Sequence, residues 1–206
     1  MAIKPEGVFP RTAIFLFFVS WTILASSSIA QGQTVPRFEV FGGFSAMRFD
    51  SPTIGFADYS YLTGWNLAGT GNITHGLGVM IDVSGHYGSQ MNAYNYGIGP
   101  QYAFRREKYQ IFFHGFIGKA QNTVTIHEPI FNNNNVVETF KNGFESVGRN
   151  YAGGGGFDWY LTPRYTIRVI QADFFDTHTF AATQYNVRVS AGIVFHFGQA
   201  GRRRTR

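Results

Sequence analysis

The sequence predicts an all-β protein, an eight-stranded up-and-down antiparallel transmembrane β-barrel, and three observations carry that prediction. First, the stretch Tyr185 to Phe197 alternates: Tyr185, Val187, Val189, Ala191, Ile193, Phe195 and Phe197 fall on one face, and Asn186, Arg188, Ser190, Gly192 and His196 on the other. Only Val194 breaks the pattern. A strand between lipid and a polar lumen needs that period of two. Second, charged residues are only 14% of the chain, too few for an ordinary soluble surface. Third, beyond residue 30 there is no apolar run long enough for a membrane helix, and a closed barrel is the other way to satisfy every backbone group in lipid.

The first 30 residues read as a cleaved secretory signal. Lys4 and Arg11 supply a basic start, Ala13 to Ala25 an apolar stretch, and Ser28-Ile29-Ala30 small residues at the positions a signal peptidase reads. The expected organisation is a signal at 1–30, a barrel at 31–198 and a basic tail at 199–206, which contains Arg202, Arg203, Arg204 and Arg206. There is no cysteine in the chain, which excludes a disulfide framework or a thiolate metal site.

Eight segments then read as strands. Arg37 to Phe49 places Phe38, Val40 and Phe44 on one face, with Glu39, Phe41, Gly43 and Ser45 on the other. Thr63 to Ile73 sorts Trp65 and Leu67 against Asn66 and Thr70. Leu77 to Tyr87 is the cleanest early strand, with Leu77, Val79, Ile81 and Val83 opposite Met80, Asp82, Ser84 and His86. Tyr94 to Phe104 continues the alternation, although Pro100 removes a ladder donor and, with Gly97 and Gly99, predicts a bend.

Tyr109 to Gln121 is apolar on both faces, which leaves its register open. Tyr151 to Leu161 turns Tyr151, Phe157 and Trp159 outward and Gly154, Gly156 and Asp158 inward. Tyr165 to Phe175 conflicts with itself, because Arg168 shares a parity with Ile170 and Phe174 while Gln171 and Asp173 fall on the other. A β-bulge near Ile170 would bring all three polar side chains inside. Tyr185 to Phe197 is the eighth strand.

Connections alternate in length. Asp50 to Leu62, Gly88 to Ala93, Asn122 to Asn150 and Asp176 to Gln184 read as longer loops; Thr74 to Gly76, Arg105 to Lys108 and Thr162 to Arg164 read as tight turns. Asn132 to Asn135 predicts a solvated tip in the longest loop. Short turns and both termini on one side, and long loops on the other, is the outer-membrane plan.

Signal, eight strands and loop alternation resemble the OmpA-type outer-membrane β-barrel domain over nearly all of Arg37 to Phe197. The most recognisable stretches are Gly153 to Asp158 before the Pro163 turn, Arg168 to Asp173 after it, and the closing Val189 to Phe197. The resemblance implies an integral protein of a Gram-negative outer membrane, with Phe197 as the aromatic signal read by the insertion machinery.

Inward polar residues predict a luminal ionic network of Glu39, Asp82, His86, Asp158, Arg168 and Arg188. An eight-stranded barrel is filled by its own side chains, so such charges should pair. Nucleophilic catalysis would need a serine with a base in reach; His86 with Ser84 or Ser89, and His114 or His178, are the available material, without an acidic residue at telling spacing. The six histidines show no metal-ligand spacing, and His127 beside Glu128 is adjacency only. Gly153 to Gly156 lacks the Lys-Ser/Thr ending of a phosphate loop.

The functional expectation is a structural or surface-interaction protein without chemistry of its own; the alternative is a small porin-like passive pore. A soluble barrel with an apolar interior ranks behind both. The expected partners are outer-membrane lipids and the insertion machinery, with no nucleic acid and no cofactor, and the expected state is a monomer.

Overall fold

The structure, a computed structural model, describes residues 35–55, 58–132 and 135–199, with side chains described outside 126–142 and 199. The signal and the basic tail expected from the sequence lie outside the described residues, apart from Gln199. Eight strands follow one another: β1 Pro36–Phe49, β2 Ser60–Asn72, β3 Leu77–Tyr87, β4 Met91–Arg105, β5 Tyr109–Asn132, β6 Asn135–Tyr160, β7 Tyr165–Thr179 and β8 Ala182–Gln199. Each pairs antiparallel with the next, and β8 closes on β1, so the sheet is a closed up-and-down barrel.

Burial follows the alternation. On β3, Leu77, Val79, Ile81, Val83 and Tyr87 are exposed while Met80, Asp82, Ser84 and His86 are buried. The face away from the lumen is therefore the apolar one, the reverse of a soluble protein. Val194, the break in β8, points inward, fully buried, opposite Phe41 of β1. It belongs to an apolar patch inside an otherwise polar lumen.

Both ambiguous strands resolve. β5 turns Gln110, Phe112, His114 and Phe116 inward and Ile111, Phe113 and Ile117 outward, so two of its phenylalanines are luminal fill. In β7 the ladder to β8 jumps from Arg168–Gly192 to Gln171–Ser190, leaving Val169 and Ile170 opposite Ala191. Both bulged side chains are exposed, and Arg168, Gln171 and Asp173 are all buried. The extra residue exchanges one parity for the other.

Pro100 does not end β4, which runs through it with Pro100 opposite Val79 of β3. On the β5 side the ladder skips Gly99 and Pro100 and resumes in the same register.

All four expected longer loops are shorter than the sequence implied; the one expected from Gly88 to Ala93 is the three residues 88–90, because β4 begins at Met91. β2 begins at Ser60 rather than Thr63, after a 3-10 turn at Pro52–Ile54. The stretch 122–150 is not a loop: β5 and β6 stay paired from Tyr109–Trp159 to Asn132–Asn135 as one long hairpin. The sequence there lacks the strict apolar–polar alternation of the other strands, which is why it reads as a loop. The connection expected at 176–184 is a two-residue turn, Phe180–Ala181, with φ of 54° and 56°. Positive φ at both central residues is the type I′ geometry, for which Asn-Gly is the usual sequence.

Candidate functional site: a closed luminal network

β3, β7 and β8 bring the central cluster together. Arg188 of β8 reaches Asp82 of β3 through two hydrogen bonds of 2.8 and 3.0 Å, and Asp173 of β7 through its Nε at 2.8 Å. Arg188, Asp82 and Asp173 are buried to 2% exposure or less. Asn66 adds a donor to Asp82 at 2.8 Å, while His114 and Gln171 bind Asp173 at 2.7 and 2.9 Å. The cluster therefore holds one guanidinium between two carboxylates, each of whose oxygens accepts at least one hydrogen bond, the kind of setting in which buried charge is tolerated.

A second cluster lies toward the short-turn end. Arg168 donates to both oxygens of Asp158, at 2.8 and 3.1 Å, and to Gln171 at 2.7 Å. Its guanidinium carbon sits 4.4 Å from the Phe41 ring centre and 4.1 Å from that of Phe112. Two aromatic faces thus cover the cation where hydrogen bonds do not. Gln110 donates to Asp158 at 2.7 Å and accepts from Tyr160 at 3.0 Å. Gln171 joins the two clusters. Nearer the end, Glu39 pairs with Arg105 at 2.8 Å and accepts from Asn72 at 2.9 Å.

All six residues singled out from the sequence face the lumen, though not as one ring. Arg188 meets Asp82, Arg168 meets Asp158, and Glu39 stands apart with Arg105. His86 has no ionic partner: its Nε2 lies 2.8 Å from Ser45 Oγ, which lies 2.9 Å from Ser190 Oγ. Three further members lie outside that set of six: Arg105, which the sequence places in a turn, His114, whose strand has an open register, and Asp173, which the expected bulge near Ile170 does turn inward.

At the long-loop end the lumen carries an apolar stopper of Met47, Phe49, Leu62, Met91 and Val124, with Ile54 and Phe180 packed against it. Along the lumen the ion pairs and the apolar stopper follow one another, and both are buried. Phe197 faces outward opposite Phe38 across the β1–β8 seam.

The arrangement offers little for catalysis. His86 bonds Ser45, not Ser84 or Ser89, and both members of that pair are fully buried. His114 does have an acid, Asp173, but no nucleophile is bonded to it. His178 sits on the outer wall, 3.2 Å from Asp176. Among the described residues no group of three or more His, Asp or Glu side chains is placed to hold a metal ion.

No protein-family model matches the chain, and no curated protein does. Solved structures do. Ail, the attachment invasion locus protein of Yersinia pestis, crystallised with the heparin analogue sucrose octasulfate, is 13% identical with a TM-score of 0.54, over 78% of this chain and 99% of its own. Neisserial surface protein A is 12% identical with a TM-score of 0.55, over 78% of this chain and 97% of its own. With strand order, closure and these likenesses together, the chain has the fold of the eight-stranded outer-membrane β-barrels.

Proposed function

We propose that the protein resides in a bacterial outer membrane, passes no solute through its lumen, and works by surface interaction through the projecting β5–β6 hairpin. The observation that carries this reading is the inverted polarity: ion pairs inside, an apolar wall outside. Eleven residues of β3 present that wall, about the length a tilted strand needs to cross a bilayer. The signal at 1–30 and the aromatic Phe197 support export and insertion. Short turns and barrel ends then face the periplasm and the hairpin faces outward.

Arg188 and Arg168, buried with their carboxylates, and the apolar stopper fill the lumen with described side chains, which argues against the pore. A sealed Ser45–His86 pair likewise argues against an enzyme. Past Met91–Val124 on one side and Arg149–His178 on the other the ladders to β4 and β7 end; Thr125 still donates to the Gln90 carbonyl and Ser146 still accepts from Phe180 N–H, and beyond them β5 and β6 pair with each other as an extended hairpin. Exposed Phe144 and Val147 give it contact surface.

The test is trypsin added to intact cells. Cleavage after Lys141 with the barrel protected is expected; an intact hairpin in intact cells, cut only after lysis, would contradict the orientation. Planar-bilayer recording of the purified protein should give no discrete channels, and steady unitary conductance would restore the pore.

A further inference from the structure

The short-turn ends of β7 and β8 carry two adjoining hollows on the outer wall. One, about 780 Å³, is lined mainly by apolar groups, among them Leu161, Ile167, Val169, Ala191, Gly192 and Ile193. The bulge creates it: Val169 and Ile170 both turn outward, and the facing positions on β8 hold only the methyl of Ala191 and the backbone of Gly192. The wall is stepped there. The other hollow, about 410 Å³, is lined by Arg164, Tyr165, Phe195, His196, Phe197 and Gly198. Tyr165 and Phe195 belong to both, as ladder partners with ring centres 5.4 Å apart.

The second hollow is basic. Arg164 is exposed and makes no ion pair with any described acid. Arg37 flanks the same rim, because a Cβ on Gly198 would lie 3.2 Å from the Arg37 Cβ. The nearby carboxylates are engaged inside: Glu39 by Arg105 and Asn72, Asp158 by Arg168 and Gln110. Two exposed arginines, neither in an ion pair with a described acid, thus flank the basic hollow: Arg164 in its lining and Arg37 with its aliphatic stem beside Gly198.

We propose that this is a binding site for one anionic glycerophospholipid of the inner leaflet, with its phosphate held by Arg164 and Arg37 and an acyl chain in the β7–β8 groove. This inference rests on the membrane placement proposed above. A soluble phosphate would leave the apolar arm unfilled, and an acidic peptide would meet lipid along the groove. A lipid satisfies both arms at once. Interaction with an anionic headgroup near a membrane surface is worth about fivefold in affinity for each arginine engaged.

Tryptophan quenching in vesicles tests it. Trp159 of β6 is the ladder partner of Ile167 and stands beside the groove, whereas Trp65 is on β2, elsewhere around the barrel. Full-length protein carrying Trp21→Phe with Trp65→Phe, or Trp21→Phe with Trp159→Phe, isolates each reporter. Phosphatidylglycerol and phosphatidylcholine with brominated chains are compared at equal mole fraction.

The expected result is about fivefold or greater preference for phosphatidylglycerol at Trp159 and equal quenching by the two lipids at Trp65. Arg164→Gln with Arg37→Gln should abolish the preference, and Ala191→Leu, which fills the groove, should weaken quenching at Trp159 by both lipids. No preference at Trp159, or one that survives loss of both arginines, overturns the site while leaving the membrane placement intact. Failure of either lipid to quench Trp65 would overturn the membrane placement and the site with it.

Discussion

Arg188 and Asp82 lie on strands β8 and β3, which do not neighbour each other in the barrel, yet they meet across the lumen through two hydrogen bonds of 2.8 and 3.0 Å. The pair is a strut. With Asp173 on the third side it ties three strands of the wall together through the axis.

Removing the cation alone should be costly. Arg188→Ala leaves two buried carboxylates facing each other, and breaking a buried pair from one side costs about 3–5 kcal/mol. The neutral triple replacement Arg188→Met, Asp82→Asn, Asp173→Asn should recover most of that loss, because no charge is left unpaired. Urea unfolding in detergent or lipid vesicles measures both; equal stability of Arg188→Ala and the original protein would show that the strut contributes nothing.

The bulge predicts an asymmetry between two deletions. Without Ile170, β7 becomes regular, with Val169 outward and Gln171 and Asp173 still inside, so the barrel should fold. Without Ala172, keeping Asp173 inside forces Ile170 inward and Gln171 into lipid, where an unsatisfied amide costs several kcal/mol. The fraction refolded into vesicles distinguishes them, and equal refolding of the two would contradict the assigned bulge.

Closure depends on two facing glycines. Gly43 and Gly192 are partners across the β1–β8 seam, and a Cβ on Gly192 would run into the Gly42 carbonyl oxygen. Backbone cannot move aside as a flexible side chain can. Gly192→Ala should therefore destabilise by about 1–3 kcal/mol, the usual cost of overpacking. Gly69, whose added Cβ meets nothing within 4 Å, should accept alanine with little change in the urea midpoint.

The β7–β8 turn should improve on substitution. Ala181 has a φ of 56°, a conformation costing a residue with a Cβ about 1–2 kcal/mol. Ala181→Gly should gain about 1 kcal/mol by the same measure. Phe180 shares the strain, but its ring packs on the stopper, so Phe180→Gly should lose stability although the backbone N–H that donates to Ser146 is kept.

Much of the barrel was legible because lipid and lumen impose opposite chemistry on adjacent residues. Strand order, the inward set Glu39, Asp82, His86, Asp158, Arg168 and Arg188, and the bulge all follow from that contrast. Where the contrast vanishes, legibility ends. Phe112 and Phe116 are luminal yet apolar: the Phe112 ring covers the Arg168 guanidinium, and Phe116 packs against the rings of His114 and Phe175. Beyond Val124 the strands have no partner on their outer edges from β4 or β7 to impose alternate apolar and polar positions, and their sequence reads as loop. Phe180–Ala181 carries no turn residue, and its geometry comes from tertiary contacts instead. Pairing across the lumen, Arg188 with Asp82 and Asp173, has no local signature at all.

An apolar wall around a polar, closed interior calls for a membrane around the barrel. The decisive test is fractionation of the producing cells, followed by electrophoresis of heated and unheated membrane samples. The protein should pellet with the outer membrane, and the unheated sample should migrate as a compact species that boiling converts to a slower, unfolded one. Recovery in the soluble periplasmic fraction, with identical migration before and after boiling, would contradict it.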